Sequence, residues 1–485
     1  MTRSVCTVLA VAAAVLLAGC ATRPINARLD HFDSPAGYRY ITRPQAANNE
    51  TESLIVLAFS GGGTRAAAFS YGVLEELART QLVINGRKRR LLDEVDVITG
   101  VSGGSFTALA YALYGDKLFE IYEPAFLKRD VQHELIGRFL NPASWSRLWS
   151  ESWGRSEVAA QLYDEILFHG ATFADLEKGP GPLALVTATD ISTGARFAFN
   201  QSDFDVICSD LASVPLSRAA AASSAVPFAL SPVTFNNYGG TCGYREPAWV
   251  RDIEDPARRT RPAGRALATL KDIRSFEDGR ARPYIHLVDG GISDNLGVRE
   301  LLEVFEQLEA SVGFQRALRI DQVRRIAVFV VNSLSDPAID WDTHERAPND
   351  VQILIKATGV PIDRYSYEAV ELLKDLAARW ENERNLRAAG VFTNAGNPAL
   401  ARAAGNVPNI DIFAIDVSFD AVPDPSERLY LKNLDTSFVL PAEAVDRLRA
   451  AAAAALRASP DFRRLVEAMS RAKAPEPVGP PIEIR

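Results

Sequence analysis

The chain has 485 residues, 47% of them hydrophobic and 24% charged, which is ample material for a large buried core and excludes a disordered or low-complexity protein. A formal net charge of −8 excludes a general electrostatic pull toward nucleic acid or anionic lipid, so no nucleic-acid partner is expected. Four cysteines and five histidines show no zinc-type spacing, so neither a metal nor a cofactor is expected.

In chain order, the amino terminus comes first. Val5 to Leu17 is an almost unbroken apolar run behind a weakly basic start, too short to span a bilayer, and reads as a secretory leader. It ends in Leu17-Ala18-Gly19-Cys20, which resembles a bacterial lipoprotein cleavage box. That resemblance implies a signal peptide over 1–19, lipidation of Cys20, and a membrane anchor held by several acyl chains. Ala21 in place of an acidic residue implies the outer membrane, facing the periplasm. The polar stretch that follows, through residue 53, reads as a tether (20–53). Cys6 leaves with the leader, so Cys208 and Cys242 remain. An oxidising compartment would let them pair, although the sequence does not give their separation.

Strands and helices then alternate. Leu54 to Phe59 is a continuous apolar run, as a buried parallel strand requires, and Thr64 to Thr80 follows as a helix. Val95 to Ile98 and Ser105 to Tyr114 repeat the pattern. Further strands are expected over Leu183–Thr189, Arg196–Asn200, Tyr284–Val288, Ile326–Val331 and Ile410–Ile415. Further helices are expected over Gly297–Glu309, Tyr365–Ala388 and Ala442–Ala458. This alternation predicts an α/β fold, a mainly parallel sheet with helices on both faces. The expected division is a catalytic domain over 54–335 with inserted cap segments, a C-terminal α/β extension over 336–473 packed on the same domain, and a disordered Pro-rich tail over 474–485.

Two segments read as insertions. Residues 141–157 carry Trp145, Trp149 and Trp153 at four-residue spacing, one stripe of a helix that either packs on the core or dips into lipid. Residues 242–282, with ten basic and seven acidic side chains, read as a solvated loop.

The chemistry concentrates at two strand ends. Gly100-Val101-Ser102-Gly103-Gly104 sits between a strand and a helix, where a sharp turn exposes a serine and the flanking glycines Gly100 and Gly104 avoid clashes. Ser60-Gly61-Gly62-Gly63-Thr64-Arg65 occupies the same context, and its backbone N–H groups, with the helix dipole behind them, suit an oxyanion. A phosphate-binding P-loop is disfavoured, because the glycine spacing and the missing lysine are wrong for it. For a base, His344 in the polar loop Asp342–Arg346 is the only plausible late histidine. Asp289, in Asp289-Gly290-Gly291 after the Tyr284 strand, is the carboxylate alternative, though Asp-Gly is also a common turn pair.

Taken in order, Gly-Gly-Gly-x-Arg, Gly-x-Ser-x-Gly and Asp-Gly-Gly resemble the patatin-like phospholipase family over roughly residues 54–300. Ala222-Ser223-Ser224-Ala225-Val226-Pro227 resembles its third block, while Ala66 departs from the glycine common there. The resemblance implies a three-layer fold and a lipid acyl hydrolase acting on membrane lipid through a Ser102–Asp289 dyad and an acyl-enzyme. It implies an oxyanion hole built from Gly61, Gly62, Gly63 and Arg65, with Arg65 holding the loop or meeting a phosphate. An acyltransferase with the same site, or a catalytically silent envelope scaffold, are the alternatives.

Overall fold

The computed structural model describes residues 22–42, 51–84, 86–148, 150, 153–258, 261–337, 339–391 and 407–470. The expected leader, Cys20 and the tail 474–485 lie outside them. Along the chain run β1 (Ser53–Phe59), α1 (Gly63–Arg79), the hairpin β2–β3 (Gln81–Ile84, Arg87–Arg90), β4 (Val95–Val101) and α2 (Gly103–Tyr114). Then come β5 (Leu183–Asp190), β6 (Arg196–Ala198), α3 (Leu216–Ser223), β7 (Val233–Asn236) and β8 (Tyr284–Val288). β9 (Arg325–Asn332), α4 (Asp350–Ala388), β10 (Asp411–Ser418) and α5 (Ala442–Ala458) complete the core elements.

The main sheet has the order β10-β9-β1-β4-β5-β8-β7, with β6 branching from β5. β10, β9, β1, β4 and β5 run parallel, while β6, β7 and β8 run antiparallel to their neighbours. The fold is the expected mainly parallel α/β arrangement, with helices packed around the sheet. β1 is central in the sheet, between β9 and β4, and its residues are buried on both faces, which explains its unbroken apolar sequence. α1 is buried along nearly its whole length against the alanine-rich α5. Gly72 makes this approach possible, since a Cβ there would lie 2.6 Å from the Arg449 Cα.

Several expectations are corrected. Residues 22–42 are not a tether. Tyr38 is buried and accepts the Ala184 N–H at 2.7 Å, Arg39 pairs with Asp205 at 2.8 Å, and Asn26 donates to Ser209 at 2.8 Å. The polarity that suggested a tether is spent on hydrogen bonds to the body. The helix at 142–148 carries Trp145 but not Trp153, whose ring lies under Arg147, so these two do not share one helical stripe among the described residues, and Trp149 lies outside them. Within 242–282, helices Val250–Glu254 and Gly264–Arg274 bury Val250, Ile253, Ala266 and Leu270 in a small core of their own, so the segment is more than a solvated loop. Cys208 and Cys242, which the sequence left open as a possible pair, are joined in a disulfide, with Cα atoms 5.5 Å apart. Beyond residue 335 the chain adds β10 to the same sheet, paired with β9 over its full length.

Candidate active site

β4 delivers Ser102 at its carboxyl end, and α2 begins at Gly103. Ser102 has φ 48° and ψ −119°, a conformation that side chains rarely adopt and that stores about 1–3 kcal/mol. The surrounding structure holds it there. The Ser102 N–H donates to Ser223 Oγ at 2.8 Å, and Ser105 Oγ donates to the Ser102 carbonyl at 2.6 Å. The glycines of this turn are required by packing. A Cβ at Gly104 would approach the Ser60 carbonyl at 2.6 Å, and one at Gly100 would meet Ser105 Cα at 2.8 Å. At Gly103 it would overlap the backbone of Gly63, so the serine turn and the glycine loop nest backbone against backbone.

The register of β5 explains how Asp289 reaches Ser102. Val101 of β4 pairs with Thr187, and Val288 of β8 pairs with Thr189, so both strands end at the same height on either side of β5. The loop after β8 then leans across β5, with Gly290 against the Thr187 carbonyl and the Val101 side chain. The Ser102 side chain lies near enough to the Asp289 carboxyl to favour its charged form. Burial pushes the Asp289 carboxyl up to about 6, against the opposing pull of the Gly291 N–H, which donates at 2.8 Å, and of Ser102. A carboxyl there is mostly ionised near neutral pH yet basic enough to take a proton. The third block clamps this loop: Asp289 N–H donates to Ala225 O and Gly290 N–H to Ser223 O, both at 3.0 Å.

In the glycine loop the four expected residues divide. The Gly61 N–H is spent on the Asn295 carbonyl at 2.9 Å. Gly62 and Gly63, at φ 136° and 59°, make no N–H hydrogen bond among the described residues, and neither does Gly103. Three donors at a helix start therefore remain available beside Ser102. Arg65 is 2% exposed and fully engaged: Nε donates to Ser333 O at 2.8 Å, Nη1 to Leu434 O at 2.7 Å and Nη2 to Thr436 Oγ1 at 2.9 Å. Burial lowers its pKa to about 10. Its geometry is that of a brace rather than a free anion ligand, and Gly61 likewise positions the loop without offering a donor.

Sequence reasoning missed the other braces. Thr64 N–H donates to Ser437 O at 2.8 Å, so the C-terminal region seats the glycine loop. Ser60 Oγ accepts the Ser333 N–H at 3.0 Å, tying β1 to the end of β9. Single serines and threonines in loops carry no sequence signal for such roles. Among the described hydrogen bonds, no histidine reaches Ser102 or Asp289. His344 bonds within its own loop, to Thr343 and Asp340, and His286 bonds Thr234. Ser102 and Asp289 are each 6% exposed, so the site is nearly closed. A cavity of about 970 Å³ lies at the other end of the sheet, beside Val95 and Leu183 at the starts of β4 and β5.

The sequence model of the family described as patatin-like phospholipase matches residues 57–302, which contain Ser102, Asp289 and the glycine loop. No curated protein matches the chain. Among solved structures, the human GIVD cytosolic phospholipase A2 is similar, with 13% identity and a TM-score of 0.43 over 86% of this chain and 60% of that one. Its complex with methyl gamma-linolenyl fluorophosphonate is also similar, with 13% identity and a TM-score of 0.39 over 86% and 59%. The chain thus spans about three-fifths of the length of these neighbours.

Proposed function

The chain belongs to the patatin-like phospholipase family, and from that membership we propose that it hydrolyses carboxylic-ester bonds of membrane lipids through a Ser102–Asp289 dyad. Ser102 Oγ attacks the ester carbonyl while Asp289 takes its proton directly. The N–H groups of Gly62, Gly63 and Gly103 receive the oxyanion, each donor contributing on the order of 3 kcal/mol. Asp289 returns the proton to the departing alcohol and leaves an acyl-Ser102. Water, deprotonated by the same carboxylate, then releases the fatty acid.

The observation that carries this reading is the placement of Ser102 and Asp289 at adjoining strand ends, both buried, with the carboxyl pushed up to about 6 by burial. A base with no histidine must be desolvated to work near neutral pH, and burial does that here. The Leu17–Cys20 box supports a further part of the proposal, a lipid-anchored enzyme of the bacterial envelope.

Ser102→Ala should lower ester turnover by on the order of 10⁴-fold or more. A fluorophosphonate should label the wild-type chain at Ser102. An unlabelled wild-type chain, or full turnover in Ser102→Ala, would overturn the assignment. Free fatty acid as the main product in water separates hydrolysis from transfer to another alcohol.

A further inference from the structure

We propose that residues 350–365, the first half of α4, form an arm that seats the mouth of the active site on a lipid surface. This rests on the lipid-hydrolase reading above, but the arm lies outside the matched residues 57–302. Lys374 of α4 reaches Asp416 of β10 at 3.6 Å, and Arg384 pairs with Asp411 ten residues further along the helix. The helix therefore runs antiparallel to β10, and its start points beyond the carboxyl ends of the parallel strands, the end where Ser102 sits. Counting back from Lys374 at about 1.5 Å per residue, its first turns overhang the sheet by on the order of 25 Å.

This overhang is a constructed helix start. Asn349 and Gln352 form a reciprocal capping box at 2.9 and 3.0 Å. Yet among the described side chains none is buried before Ser366. Ile353 is 47% exposed, Leu354 45% and Val360 37%, values that decide the matter because three large aliphatics stand in water on one short segment. Gln352, Lys356 and Asp363 share one polar stripe by helical spacing, while Ile353, Leu354 and Val360 face other directions on a circumference that otherwise carries charges only at the two ends of the arm, Asp350 and Arg364. Exposed aliphatics set between charged groups, and continued by the exposed Ile292 and Phe228 near the site, suit a bilayer interface. Sixteen residues span about 24 Å, too short to cross a bilayer core of about 30 Å, so the arm lies in the surface plane.

The root of the arm touches the catalytic loop. Ile362 and Tyr365 share a crevice with Gly291, Ile292 and Asn295, and Asp363 acts electrostatically on Arg65. Exposed apolar groups continue around the mouth on the two segments that bracket Asp289: Ile292 on its own loop and Phe228, 73% exposed, beyond Ala225. Gly359 has open space around it and Pro361 removes one helical hydrogen bond, so the arm can pivot where it leaves the body.

The test uses the full chain carrying Cys20→Ser, so that no lipid anchor masks the arm, and vesicles of phosphatidylethanolamine and phosphatidylglycerol. Ile353→Ser/Leu354→Ser/Val360→Ser should reduce co-flotation with vesicles on the order of a hundredfold. It should slow hydrolysis of vesicle lipid in step, while turnover of a soluble short-chain ester and fluorophosphonate labelling stay unchanged. The single variant Leu354→Asp, at an exposed position, should show the same split with a smaller loss, and it decides the question if the triple variant fails to fold. Unchanged flotation in both variants would overturn the proposal. So would a change confined to oligomeric mass, which would assign the arm to a second copy. If the Cys20→Ser parent turned over neither substrate, the hydrolase reading would fail, and flotation would still judge the arm.

Discussion

Asp289→Asn should stabilise the protein while disabling it. The carboxyl titrates at about 6 because burial disfavours its charge, whereas in the unfolded chain it titrates near 3.8. Keeping it ionised in the folded state at about pH 7 therefore costs about 3 kcal/mol. The sign follows from the direction of the displacement. Below about 3.8 the group is protonated in both states and the cost vanishes; it grows as pH rises through the window up to about 6 and is complete above it. Asparagine fills the same space and its Oδ1 still accepts from the Gly291 N–H, but it carries no charge to desolvate. Urea unfolding under non-reducing conditions should show the variant more stable by about 2–3 kcal/mol near pH 7, with the difference closing toward zero near pH 4. Ester turnover should fall by on the order of 10³-fold or more. A variant no more stable than wild type near pH 7, or a difference independent of pH, would refute the claim that the site stores this desolvation cost.

Three other expectations follow from the same geometry. The pH profile of kcat/KM should rise with pH along a limb with a midpoint at about 6, because Asp289 must be ionised to act as base, and stopped-rate assays across that window check it. Gly103→Ala should abolish activity, since its Cβ would force the serine turn away from the Gly63 backbone; loss of fluorophosphonate labelling reports this even if the fold survives. Arg65→Ala should destabilise the chain by about 3 kcal/mol or more, leaving the Ser333 and Leu434 carbonyls without their donor, and should lower kcat more than it raises KM, because the loop it braces acts in the transition state. Thermal unfolding and steady-state kinetics measure the two effects separately.

Much of the fold was legible because its signals are local. The unbroken apolar run of β1 announces a strand covered on both faces, and the alanine-rich α5 announces a helix packed closely, each from its own residues. The serine turn and the glycine loop were legible for the same reason: both need glycines at fixed places to let backbone approach backbone. The first half of α4 was not: a helix was expected only from Tyr365, whereas it starts at Asp350 behind the Asn349–Gln352 cap and runs through Gly359 and Pro361, residue types that ordinarily interrupt helices. The segment 22–42 was misread because polar residues look alike whether their partners are water or the far side of the domain.

From its residues alone, then, the chain determined which backbone turns would occur and which side chains stood on them, because steric demands at a turn are set by neighbours in sequence. What the tertiary structure decided was pairing and environment. The strand register across β5 brings Asp289 to Ser102, and burial there raises the carboxyl to about 6. Residues from the C-terminal third hold Arg65 and Thr64 and leave Gly62 and Gly63 as the free donors. Those outcomes depend on contacts between segments hundreds of residues apart, and on dielectric surroundings that no local pattern encodes.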